Sequence, residues 1–207
     1  MQGKKIIFLF ILALILRIGL MLLSFQHVEH KDILRFRDWA TNSYLYGMSD
    51  PYKGDHLSFG TSPLNLPPGT LYTVSAMYRV NLLAAKAIIK ITHTKPGQLS
   101  WVNGALIDAF LRIPSILSDL IIGYIIYLLV KKYKHEKNAI LASGLFLFNP
   151  SIFYNGAFWG QMDSIHNALF FLGLYMFFTN KKFLTIFFLF LSLYVKLTLI
   201  TLIAPLL

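Results

Sequence analysis

The chain has no cysteine, which removes disulfides, thiolate nucleophiles and thiolate-bound metals from consideration. Charge is scarce too: Asp, Glu, Lys and Arg make up 14% of the 207 residues, against about a quarter in an average soluble domain. Acids are scarcer still, nine against nineteen Lys and Arg. What is there instead is apolar: 56% of the residues are hydrophobic, with 18 Phe and 11 Tyr. That balance excludes a disordered chain and argues against an ordinary soluble domain, so lipid is the expected solvent. A formal net charge of +10 would suggest nucleic acid in a water-soluble protein. Here the cations flank apolar runs, which points to orientation in a bilayer and to no nucleic-acid partner.

Apolar length and basic flanks set an expected topology. Residues 6–25 follow Lys4 and Lys5, are interrupted only by Arg17, and are long enough to cross about 30 Å of hydrocarbon. A cleaved signal peptide is the competing reading, but 23–26 lacks a small-residue cleavage site, so an uncleaved anchor is expected. Residues 26–100 carry most of the acids, four of the six His and the turn-forming runs at 49–51, 66–69 and 95–97, which predicts a folded loop outside the bilayer. Four further apolar stretches follow at about 110–130, 139–159, 162–179 and 183–207. The connections at 131–137 and 180–182 are short and basic, like the N-terminus, so all three should lie on the cytoplasmic side. The expected fold is therefore an all-α, multi-pass membrane protein with about five transmembrane helices and a large outer loop bearing amphipathic interfacial helices.

Residues 70–91 form a helical pattern that a sixth span could claim. Arg79, Lys86 and Lys90 fall within about 40° of one another at 100° per residue, opposite Leu82, Ala84, Ala85, Ile88 and Ile89, so the helix is expected along the interface. Its stripe serves either lipid headgroups in general or a specific phosphate. The chain stops at Leu207 inside an apolar run, which leads us to expect the N-terminal part of a longer protein.

Polar residues within apolar stretches are costly and need a partner, a wet cavity or a function. Asp108, Arg112, Ser115 and Asp119 share about 60° of one helical face and must look at protein or water. Asp108 and Arg112, four apart, are expected to pair, whereas Asp119 has no partner nearby in sequence. Arg17 reads mainly as structural. Lys196 lies deep in its apolar run, either snorkelling to an interface or facing a cavity beside an acid or a lipid phosphate.

The stretch 149–167 is the richest. Asn149-Pro150, Gly156 and Gly160 loosen the backbone, and such irregularity at membrane depth lines a cavity or is buried in protein. A helix starting near Trp159 would put Trp159, Asp163 and His166 on one face, an aromatic platform with a carboxylate and an imidazole that suits a sugar. The competing reading is an interfacial Trp with Asp163 and Ser164 capping the helix. Asp163 and His166 offer at most two metal ligands, so a metal site is the weaker option. Asp32 follows the first span closely. It either caps a helix whose apolar face is Ile33, Phe36 and Ala40, or serves as a general base against the membrane surface.

Taken in order, Asp32, Phe36, Trp39 and Ala40; Pro67, Pro68, Gly69, Leu71 and Tyr72; Arg112, Pro114 and Asp119; Asn149 and Pro150; Trp159-Gly160-Gln161-x-Asp163-Ser164; and Val195-Lys196 resemble integral-membrane glycosyltransferases of the GT-C type. Within these the chain is most similar to prokaryotic relatives of the second mannosyltransferase of glycosylphosphatidylinositol-anchor synthesis. It departs from them at Asn65-Leu66, where the family commonly has Asp-Tyr, and at Leu197, where it usually has Pro.

The resemblance implies a transferase at the extracytoplasmic face, in the plasma membrane if the chain is prokaryotic. It would move a sugar, with mannose the first expectation, from a polyprenyl-phosphate donor to an acceptor glycan, lipid or protein, with inversion. Asp32 would be the catalytic base. Trp39, Arg79, Arg112, Asp119, Trp159, Gln161, Asp163, His166 and Lys196 would contact substrate. The donor and membrane lipids are the implied partners; no cofactor or metal is implied. The rival class is a transporter or lipid-linked sugar flippase that relays ions through Asp119, Asp163 and Lys196. A third is a non-catalytic scaffold.

Overall fold

The computed structural model describes residues 2–27, 31–58, 60–93 and 104–200. The expected turn at 95–97 and the end of the last apolar run, 201–207, lie outside the described residues. Every regular element among the described residues is helical.

The longest apolar run gives α1, Gln2–His27, whose 26 residues rise about 39 Å at 1.5 Å each. Its side chains are apolar nearly all round and mostly uncovered: Ile7 and Phe8 are each 61% exposed. Such a surface is unstable in water and stable in hydrocarbon. Helix α5, Ala105–Tyr133, is the second of two helices among the described residues that are long and apolar enough to cross a membrane. It packs antiparallel to α1, with Phe10 against Tyr124, Arg17 on Asp119 and Phe25 under Arg112.

Between them lies an outer layer. Helix α2, Lys31–Leu45, buries Ile33, Phe36 and Ala40, the face its spacing predicts. The short α3, Asp50–Lys53, leads through a loop to α4, Pro68–Thr92. Pro67 and Pro68 start α4 where an amide donor would be unsatisfied anyway. Arg79, Lys86 and Lys90 are exposed on α4, and α4 is not among the helices apolar enough to span. The core of this layer is Ile33, Phe36, Trp39, Ala40, Leu64, Leu71 and Val74, closed from below by Ile107, Leu111 and Met162. Asp38 ties the loop down by accepting from the Ser58 amide at 2.8 Å and the Thr61 hydroxyl at 2.6 Å.

The remaining apolar stretches are helical but divided. Helix α6, Glu136–Leu147, stops at Phe148. Asn149 then caps α7, Pro150–Phe153, accepting from the Ser151 amide. A π-helix, Tyr154–Trp159, ends at Gly160 in the left-handed region, φ +85°. Helix α8, Asp163–Phe178, and α9, Lys182–Val195, pack side by side, with Gly173 flush against Leu189. Lys196 is extended, and a single 3-10 turn, Leu197–Leu199, follows.

Both ends of this bundle are chemically distinct. Lys132 Nζ donates to the Phe178 carbonyl at 2.7 Å, so the basic connections 131–137 and 180–182 share one end. The start of α8 and the break after α9 meet at the other.

Candidate functional site

Asp32 lies in the first turn of α2, and its carboxylate gathers three donors. Gln161 Nε2 and Trp159 Nε1 both reach Oδ2, at 2.5 and 2.9 Å, while Arg35 reaches Oδ1 at 3.3 Å. A carboxylate offers about four lone-pair positions, so one remains for a further donor at a side chain 24% exposed.

The expected face of Trp159, Asp163 and His166 on one helix does not form. Gly160, left-handed, separates Trp159 from α8, which begins only at Asp163. A side chain at 160 would be strained by its backbone angle and crowded by Ile33, whose Cδ1 lies 3.0 Å from where a Cβ would sit. The break turns Trp159 and Gln161 towards Asp32 and leaves Asp163 and His166 facing α9.

There Lys196 Nζ pairs with Asp163 Oδ1. The extended backbone at Lys196 ends α9 and aims the lysine at the start of α8, so this cation is paired with an acid inside a crevice. His166 Nε2 lies 3.0 Å from Thr198 Oγ1. Its Nδ1 is buried without a hydrogen-bond partner among the described residues. Phe36, Leu66, Thr70, Gln161, Met162, Asp163, His166, Val195 and Lys196 line the crevice between these groups. Its volume, ≈ 20 Å³, holds about one water.

Next to the crevice residue Gln161, through their shared acceptor on Asp32, stands an aromatic group. Trp159 is 37% exposed; Tyr154 stacks on Phe158 with ring centroids 5.0 Å apart and meets Trp159 edge-on at 6.3 Å. Tyr154 and Phe158 were not singled out from sequence, since a 3.6-residue period does not describe a π-helix.

The outer layer is keyed to the α9 break. Thr70 Oγ1 donates to the Val195 carbonyl at 2.7 Å, satisfying an acceptor that a helix end leaves open. Beside it, a Cβ on Gly69 would lie 2.6 Å from the Tyr194 carbonyl oxygen.

Behind the site, α5 presents its polar stripe, all of it buried. The expected Asp108–Arg112 ion pair is replaced. Arg37 of α2 takes Asp108 bidentately, at 2.7 and 3.1 Å. Arg112 instead donates to the Asp108 and Phe158 carbonyls at 3.1 and 3.2 Å. The two planar groups of Arg37 and Asp108 match fork to fork across helices, which neighbours four apart on one helix rarely achieve. Ser115 donates to the Gln161 carbonyl at 2.7 Å. Asp119 accepts from Ser164 Oγ at 2.6 Å and Arg17 Nε at 3.0 Å.

The structure therefore brings together Asp32, Trp159, Gln161, Asp163, His166 and Lys196. It does not bring four others to the crevice. Trp39 is buried in the outer core with its indole N–H on the Ser62 carbonyl, Arg79 is on the exposed face of α4, and Arg112 and Asp119 lie behind the site. Among the described residues no group of three or more His, Cys, Asp or Glu could hold a metal ion. Comparison with protein families, with curated proteins and with solved structures finds no match for the chain.

Proposed function

We propose that the protein is an integral-membrane glycosyltransferase of the GT-C type, using a polyprenyl-phosphate-linked sugar, with mannose as the first candidate. The observation that carries this reading is the contact of Asp32 with Trp159 and Gln161, which joins two widely separated sequence motifs at one carboxylate. The aromatic group at Tyr154, Phe158 and Trp159 supports it, because the C–H faces of a sugar stack on such rings.

In the proposed reaction the acceptor hydroxyl gives its proton to Asp32. The acceptor oxygen attacks the anomeric carbon from the side opposite the phosphate. The new C–O bond forms as the bond to the phosphate oxygen breaks, and polyprenyl phosphate leaves with the electron pair. Lys196 is the cation best placed to stabilise that charge, because Arg112 is engaged with carbonyls and Arg79 lies elsewhere. The ≈ 20 Å³ crevice is too small for a hexose, so the sugar binds beside it, against Trp159, or after the crevice opens.

The proposed topology has five spans: α1, α5, the divided helix 136–159, α8 and α9. Lys4 and Lys5 of α1 extend towards the end that carries the connections 131–137 and 180–182. Basic segments at one end support a cytoplasmic N-terminus and an extracytoplasmic crevice. A flippase relay fits less well, since Asp119 is fully buried with both oxygens bonded.

Membranes containing the full chain, incubated with labelled polyprenyl-phosphate-mannose and a panel of acceptors, test the reading. Transfer that is lost in Asp32→Asn while the protein still folds supports it. Equal transfer in the variant removes Asp32 from the mechanism.

A further inference from the structure

Three residues of α5 grip the segment that holds Asp32. Arg112 takes the Phe158 carbonyl, Ser115 the Gln161 carbonyl, and Asp119 the Ser164 hydroxyl, a rung for each turn of one face of α5. The lowest rung is fixed from outside α5. Arg17 of α1 donates Nε to Asp119 at 3.0 Å and Nη1 to the Ala13 carbonyl at 3.1 Å. Both partners of this ion pair are 0% exposed. Gly156 fits over it: a Cβ there would stand 3.3 Å from Asp119 Oδ2 and 3.4 Å from Ser115 Cβ.

A fully buried ion pair is a poor source of stability, because desolvating both charges offsets their attraction, and apolar residues of similar size often replace such pairs without loss. Its directional bonds do something apolar residues cannot. Asp119 fixes the first turn of α8 through Ser164 and so limits where Gln161, three residues earlier, can lie. Gln161 in turn holds Asp32 at 2.5 Å.

We propose that Arg17 and Asp119 are positioning residues for Asp32, acting through Ser164 and the 158–161 segment without touching substrate. The catalytic consequence rests on the transferase reading; the geometric one does not.

The test uses the natural absence of cysteine. Asp32→Cys with Gln161→Cys gives one thiol pair, whose capture by a short bifunctional thiosulfonate in native membranes reports how tightly the two segments are held. Arg17→Met with Asp119→Leu, added to that background, is expected to keep the thermal unfolding temperature yet slow cross-linking about fivefold, the equivalent of one lost hydrogen bond. Ser164→Ala, which removes the hydroxyl through which Asp119 acts and no charge, is expected to slow it several-fold and guards against a double variant that fails to fold. In the chain without added cysteines, Arg17→Met with Asp119→Leu is expected to lower kcat with KM unchanged.

Cross-linking in the folded Arg17→Met, Asp119→Leu variant as fast as in the background overturns the proposal, as does unchanged cross-linking in Ser164→Ala or failure of the parent thiol pair to cross-link at all. Absence of transfer from the unsubstituted chain would count against the transferase reading alone, since the thiol measurement stands without it.

Discussion

Gln161 Nε2 donates to Asp32 Oδ2 over 2.5 Å, across 129 residues of sequence. Trp159 shares the same oxygen, so helix α2 and the segment between the π-helix and α8 meet at one atom. Replacing Trp159 by Phe keeps the ring and removes the donor. A hydrogen bond to a charged group contributes about 1.5–3 kcal/mol, so transfer should fall about tenfold or more while sugar binding at the platform persists. Initial rates at saturating and limiting donor check this: rates equal to those of the parent would mean that the indole N–H does not matter to the proposed transfer.

Gly69 is expected to tolerate no side chain. Its Cβ would meet the Tyr194 carbonyl at 2.6 Å, backbone against backbone, and overpacking of this kind costs about 1–3 kcal/mol. Gly69→Ala should lower the unfolding temperature of the purified protein, and Thr70→Val should do so by less, since it loses one hydrogen bond to Val195. Unfolding curves that overlay that of the parent would mean that the α4–α9 junction yields freely.

Removing Arg37 strands a carboxylate. Asp108 is 7% exposed, and an unpaired buried charge is among the costliest defects, about 3–5 kcal/mol when one partner is deleted. The partial exposure of Arg37, 24%, lowers the expected loss to about 2 kcal/mol. Arg37→Met should therefore destabilise the protein, and Asp108→Asn in the same chain should restore part of the loss. A double variant less stable than the sum of the two singles would contradict the pairing.

Lys196→Met should reduce transfer, with Lys196→Arg recovering part of it, because the proposed role needs a cation beside the leaving phosphate. Asp163→Asn tests the same pair from the other side: it frees the lysine and should lower rather than raise the donor KM if the phosphate competes with Asp163. Equal rates in Lys196→Met and the parent would remove the lysine from the reaction.

Much of the helix content was legible because it follows from periodicity. The buried face of α2, the basic face of α4 and the polar stripe of α5 all repeat at helical spacing and lie where that spacing puts them. The errors have two causes. One is a single backbone angle: Gly160 at φ +85° ended a pattern that had seemed to run from Trp159 to His166, and the π-helix before it hid Tyr154 and Phe158. The other is sequence distance. A four-residue spacing suggested Arg112 for Asp108, but the partner is Arg37, 71 residues away. Asp119 has no partner nearby in sequence, as expected, and the one it finds, Arg17, is 102 residues away. Helical neighbours can be read from a string of letters, whereas partners across helices depend on how the helices pack.

The meeting of Gly69 with Tyr194 also restricts how the molecule can move. The close approach leaves no room for an added atom between α4 and α9 at this point, and the Thr70–Val195 hydrogen bond ties the two helices there. A motion that widens the one-water gap for a bulky guest therefore has to carry α4 and α9 together or break that hydrogen bond.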